Sequence, residues 1–117
     1  SAEEFVLFQN ALRQVPVPKT VAEYAVKLVR STRPNSDEAP EIVKKYLRWG
    51  AGPRACQYLA LAAKVYAVLD GRFNAAIDDV KKASHAVLRH RLILNYKAEA
   101  EQISSDNVID ELLKTVK

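Results

Sequence analysis

The sequence predicts an all-α fold, a compact bundle of five or six helices forming one domain over residues 1–117. Three observations carry that reading. Apolar residues recur at helical spacing through most of the chain. The breaks between these stretches are rich in Pro, Gly, Asn and Asp. No segment sustains the alternation of a half-buried strand. At 117 residues, with 49% hydrophobic and 27% charged residues, the chain is long enough and apolar enough for a sizeable core.

The elements follow in order. Ser1 and Glu4 have the spacing of a capping box, opening a helix over about residues 2–14. Phe5, Phe8, Ala11, Leu12 and Val15 give it one apolar face. Val15-Pro16-Val17-Pro18 is an extended spacer, because each residue before a proline is pushed out of the α region. A second helix, from about Lys19 or Thr20 to Thr32, buries Val21, Tyr24, Ala25, Leu28 and Val29. A polar break at residues 33–40 precedes a third helix from about Pro40 to Trp49, with Ser36 or Asp37 available as its cap. The fourth, Pro53 to about Leu69, is apolar almost all round and is expected in the middle of the bundle. Tyr58, Leu59, Leu61, Ala62, Val65, Tyr66, Val68 and Leu69 can all be buried there. Asp70-Gly71 closes it with a left-handed cap. A fifth helix spans about residues 76–90, with Asp78 and Asp79 in its first turn. Periodicity leaves Leu92–Tyr96 unassigned, and residues 97–102 are ambiguous. Ser105 to Val116 forms the last helix, with Ile103 preceding Ser104 and Val108 following at staple spacing.

The chain is organised around Gly50-Ala51-Gly52-Pro53-Arg54-Ala55. Two glycines make a tight turn, and proline at the first helical position has no N–H to leave unsatisfied. Arg54 then falls in a first helical turn, where the dipole disfavours a cation. An anion between the guanidinium and the free N–H groups would resolve the conflict. A solvated arginine beside a turn is the simpler reading from these residues alone.

Composition sets bounds on function. The net charge is +4, from 18 Lys and Arg against 14 Asp and Glu, which permits a polyanionic partner without demanding one. No apolar run approaches membrane-spanning length, so no membrane partner is expected. The start is acidic, without the basic and apolar regions of a signal peptide. The single Cys56 cannot form an internal disulfide and reads as a small core residue in a cytoplasmic, reducing setting. With no Met and Ser1 at its start, the chain reads as a piece of a longer protein. His85 and His90 are five residues apart and lie on different helix faces, so no metal site is expected. No phosphate loop of the G-x-x-x-x-G-K-[ST] type is present. The cations of Arg89-His90-Arg91 suit a helix C-terminus without any partner.

Gly-Ala-Gly-Pro-Arg-Ala at 50–55 resembles the G-A-S/G-P-R-A stretch of the MoxR family of AAA+ ATPases (methanol dehydrogenase regulatory protein-like). Other stretches resemble that family in the same order. Val17 to Arg33 ends L-V-R-S-T-R where the family has L-V-R-x-T-R. Leu69–Arg72 is similar to its L-x-G-R turn, Asp78-Asp79-Val80 to its E-D-V/I helix start, and Val87–Arg91 to its V-L-R-H-R ending. The resemblance covers essentially the whole chain. It implies the helical C-terminal lid that follows a P-loop core, with Arg54 as the sensor-2 arginine reaching the γ-phosphate of bound ATP. Gly52, Pro53 and Arg54 would then contact the nucleotide. It further implies ATP with Mg2+ as cofactor of the full-length parent, a ring that is usually a hexamer, and chaperone-like maturation of partner proteins. The partners implied are its own core, neighbouring ring subunits and proteins with a von Willebrand factor A domain. Two departures stand out. Ala76 replaces the usual Ser or Thr cap before the E-D-V helix, and the phosphate loop, Walker B acid and arginine finger lie outside this chain. The chain alone is therefore expected neither to hydrolyse ATP nor to bind it tightly.

Two other readings remain at this point. A freestanding helical nucleic-acid-binding module would use Lys44, Lys45, Arg48, Arg54, Arg89 and Arg91, but the mild charge and the lack of a clear recognition helix argue against nucleic acid. The other is a plain helical protein-interaction domain.

Overall fold

The computed structural model describes residues 1–117. Its elements are α1 (Ala2–Gln14), α2 (Lys19–Ser31), α3 (Glu41–Tyr46), β1 (Leu47–Trp49), α4 (Arg54–Leu69), α5 (Ile77–Leu88), β2 (Ile93–Leu94), α6 (Tyr96–Ala100) and α7 (Ser105–Thr115). The all-α expectation holds, with two additions in the regions that periodicity left open. The chain after α5 gives a two-residue strand and the short α6. β2 pairs antiparallel with β1, Leu47 facing Leu94 and Trp49 facing Ile93 across an irregular register. No helix is long and apolar enough to cross a membrane.

The third helix is shorter than expected, and the reason is local. It stops at Tyr46, and residues 47–49 turn into β1. Asn95 explains the stop. Its Nδ2 donates to the Lys45 carbonyl at 2.8 Å and its backbone N–H to the Tyr46 carbonyl at 2.8 Å, satisfying acceptors that a helix end leaves free. The same residue accepts from the Ala98 N–H at 3.0 Å and so caps α6. Neither Ser36 nor Asp37 caps α3: the residue before it is Pro40, with no side-chain bond, and Ser36 Oγ accepts from Glu38 N–H instead. Elsewhere the caps follow the sequence. Ser1 Oγ accepts from Glu4 N–H, and Ser104 and Asn107 bond each other's backbone N–H reciprocally. Gly71, at φ +71°, ends α4 in the left-handed region. There Arg72 N–H donates to the Ala67 carbonyl and Gly71 N–H to that of Val68, a Schellman closure.

The core runs through α2, α3, α4, α5 and α7, with Leu28, Val43, Leu59, Val80, Leu88, Ile109 and Leu112 fully buried. α4 packs on α1, α2 and α5, but not as an element buried all round. Its buried stripe is Ala55, Leu59, Ala63 and Ala67, at strict i, i+4 spacing. Apart from Leu59 this stripe is alanine, and most of the larger apolar residues of α4 lie outside it. Leu61 is 52% exposed and Leu69 70% exposed; Tyr58 and Tyr66 also face solvent, and Ala62, Val65 and Val68 are half-buried. α1 departs further: none of its residues is buried, and Phe5 is 61% exposed, so its apolar face is largely uncovered. Cys56 is half-buried against the core rather than inside it, and burial pushes its thiol up, away from thiolate chemistry.

Candidate functional site

The Gly50–Pro53 turn is locked to the end of α2. Ala51 N–H donates to Thr32 Oγ1 at 2.9 Å, and that hydroxyl, fully buried, donates to the Val29 carbonyl at 2.6 Å. Arg33 Nε donates to the Ala51 carbonyl at 3.1 Å. The two glycines differ in what they do. A Cβ on Gly50 would lie 2.2 Å from the Thr32 carbonyl oxygen, so only glycine lets the two backbones meet there. A Cβ on Gly52 would meet nothing within 4 Å. Gly52 is thus dispensable to the packing and leaves open space in front of α4. Pro53 is helical in φ and ψ, and Ala55 and Cys56 N–H groups donate back to the Gly52 and Pro53 carbonyls. No acid stands in the first turn of α4, and no side chain caps it.

An open depression of about 510 Å³ lies at this end of α4, lined by Gly52, Pro53, Arg54, Ala55, His90 and Arg91. It exists because α4 and α5 form a hairpin joined by a short connection, which returns the end of α5 to the start of α4. Arg54 is exposed and forms no ion pair, and neither do His90 and Arg91. No carboxylate lines the hollow. Two permanent cations and an imidazole around open space at a positive helix end can attract an anion.

A slightly larger hollow, about 550 Å³, lies at the other end of α4 near Gln14, Val68 and Phe73. Its one cation, Arg72, is already committed. Arg72 Nη1 donates to Asp79 Oδ2 at 2.9 Å, Nη2 binds the other Asp79 oxygen, and Nε donates to Asp70 at 2.7 Å. Asp79 also accepts from Ala76 N–H at 2.8 Å, supplying the half of a capping box that Ala76 cannot return. The Arg72 hydrogen bonds hold the Asp79 carboxyl below its ordinary value of 3.8. A carboxylate lowered on folding adds stability that is present above the unfolded value and is lost as pH falls through the folded one. Asp79→Asn should therefore melt well below wild type at neutral pH, with the gap closing on acidification below about pH 4. Thermal melts across that range check this; a gap of constant size would show that charge on Asp79 contributes nothing.

A family model described as the AAA lid domain matches residues 39–112. The chain belongs to the AAA lid domain family. It is 37% identical over 100 residues to Chaperone MoxR1 of Mycobacterium tuberculosis, an alignment covering 86% of this chain and 26% of that protein. Its fold matches the crystal structure of a candidate ATPase from Cytophaga hutchinsonii with a TM-score of 0.86 and 33% identity, over 92% of this chain and 33% of the other. This lid is therefore of the MoxR type, as the motif order implies, and spans about a quarter of one relative and a third of the other.

Within the lid, the cations that a nucleic-acid module would need are not gathered on one face. Arg54 and Arg91 share the depression. Arg89 is paired with Asp106 at 3.0 Å. Arg48 lines a separate hollow with Arg33 and Trp49, and Lys44 and Lys45 sit on α3, where Lys45 lies over the Tyr46 ring. His85 is bonded to Asp110 at 2.8 Å, apart from His90. The sequence reading missed that His90 and Arg91 stand beside Arg54. The signal was available in the topology: two helices of similar length, joined by a short turn, must run antiparallel and bring their outer ends together.

Proposed function

We propose that this lid closes over ATP bound by a P-loop core in the full-length parent, with Arg54 as the sensor-2 arginine contacting the phosphate chain. The carrying observation is an exposed, unpaired Arg54 on a hollow that holds no carboxylate. Gly52 supports the reading, because the space it leaves lets a phosphate approach the start of α4. When bound, ATP supplies the phosphoryl group whose transfer drives the assembly. This chain supplies charge through Arg54 and a backbone N–H donor at Gly52, while Pro53, which has no N–H, orients the start of α4. It has no group of His, Cys, Asp or Glu side chains placed to hold a metal, so Mg2+ would be held by the phosphates and the core.

The uncovered apolar residues fit the same reading. Phe5 and Leu7 on α1, and Leu61 and Leu69 on α4, form exposed apolar surface beyond what a lone domain needs. They are contact surface for the parent's own core and for neighbouring subunits of a ring, which acts as a chaperone on partner proteins. Hydrogen exchange of the parent tests the nucleotide contact. Amides of Gly52 and of residues 54–58 should exchange more slowly when ATP is bound. Exchange there that is the same with and without ATP would remove the support for a nucleotide at this end of α4.

A further inference from the structure

We infer that Arg91, held over the Tyr58 ring, is a second phosphate-binding residue beside Arg54, so that the lid grips the phosphate chain with two guanidinium groups. This rests on the assignment of Arg54 to bound nucleotide and extends it to a residue in the turn that follows α5.

Tyr58 is the first clue. It lies four residues after Arg54, on the same face of α4. It is 42% exposed, a large ring left in solvent by a helix that buries alanines instead. The Arg91 guanidinium lies over that ring, 4.5 Å from its centre. Such a stack is attractive and uses the flat face of each group. The N–H edge of the guanidinium stays free, and no carboxylate of this chain takes it up. Arg89, two residues earlier, provides the contrast, because its fork is spent on Asp106. The Arg89-His90-Arg91 run therefore divides into one arginine that ties α5 to α7 and one that is oriented but unspent.

Electrostatics gives the class of ligand. Arg54 and Arg91 are permanently charged and line one hollow with no acid between them. Like charges brought together repel, and an anion between them relieves the repulsion. A chain of phosphates offers a separate oxygen group to each fork, which a single carboxylate does not.

Affinity of the full-length parent for a non-hydrolysable ATP analogue, measured by calorimetry, tests this apart from turnover. Arg91→Ala should weaken binding about ten- to a hundredfold, the range for one charged hydrogen-bonding group. Arg91→Lys should recover part of the loss, since it keeps charge but not the fork. Tyr58→Phe keeps the ring and should bind within about twofold of wild type, whereas Tyr58→Leu should be severalfold weaker. Wild-type affinity in Arg91→Ala, with Arg54→Ala impaired, overturns the Arg91 role alone. Wild-type affinity in both overturns the nucleotide reading of this hollow altogether. Tyr58→Phe as weak as Tyr58→Leu overturns the stacking role of the ring.

Discussion

Replacing Arg54 by alanine in the full-length parent is expected to slow single-turnover ATP hydrolysis by roughly 10²–10³, the typical cost of losing one preorganised donor at developing charge. The fold should be unaffected. Arg54 is exposed, makes no ion pair, and stands where the helix dipole disfavours a cation, so its loss leaves stability unchanged or slightly higher. Affinity for nucleotide should fall less than the rate, because the contact strengthens as charge moves onto the transferring group. Arg54→Lys should restore part of the rate only, since an ammonium lacks the planar fork. Hydrolysis by Arg54→Ala at the wild-type rate would leave the residue without a sensor role. A melting temperature well below wild type would make it structural instead.

How far the sequence could be read depended on whether the deciding interaction was local. The helix ends set by neighbours in sequence were legible: Ser1 with Glu4, Ser104 ahead of α7, and Gly71 after α4. The end of α3 was not, because the group that terminates it is Asn95, fifty residues away. The burial of α4 was misjudged for a different reason. An all-round apolar helix has several possible inner faces, and the one buried here carries three alanines beside Leu59. Periodicity counts apolar residues and does not weigh their size. The candidate site was half legible. Arg54 stood out as a cation at the wrong end of a helix, while Arg91 looked well placed at the end of its own. Only the hairpin of α4 and α5 makes them neighbours.

The two glycines of the turn give the sharpest separation between fold and site. Gly50→Ala is expected to destabilise the domain by about 3 kcal/mol or more, at or above the upper end of overpacking costs. The added methyl would meet backbone at 2.2 Å from the Thr32 oxygen and 2.8 Å from the Arg33 Cα, so no side-chain rotation can relieve it. Either the turn or the end of α2 must move, and both are pinned by Thr32 and Arg33 to Ala51. For a domain of this size the loss should lower the melting temperature by roughly 10 °C or more. Gly52→Ala should do nothing of the kind. Its φ is not in the left-handed region, its Cβ meets open space, and a less flexible unfolded chain favours the variant slightly. Circular-dichroism melts of the two variants side by side make the comparison. Equal melting temperatures would mean that the turn yields without cost, and the lock between Thr32, Arg33 and the start of α4 could not then be what positions Arg54.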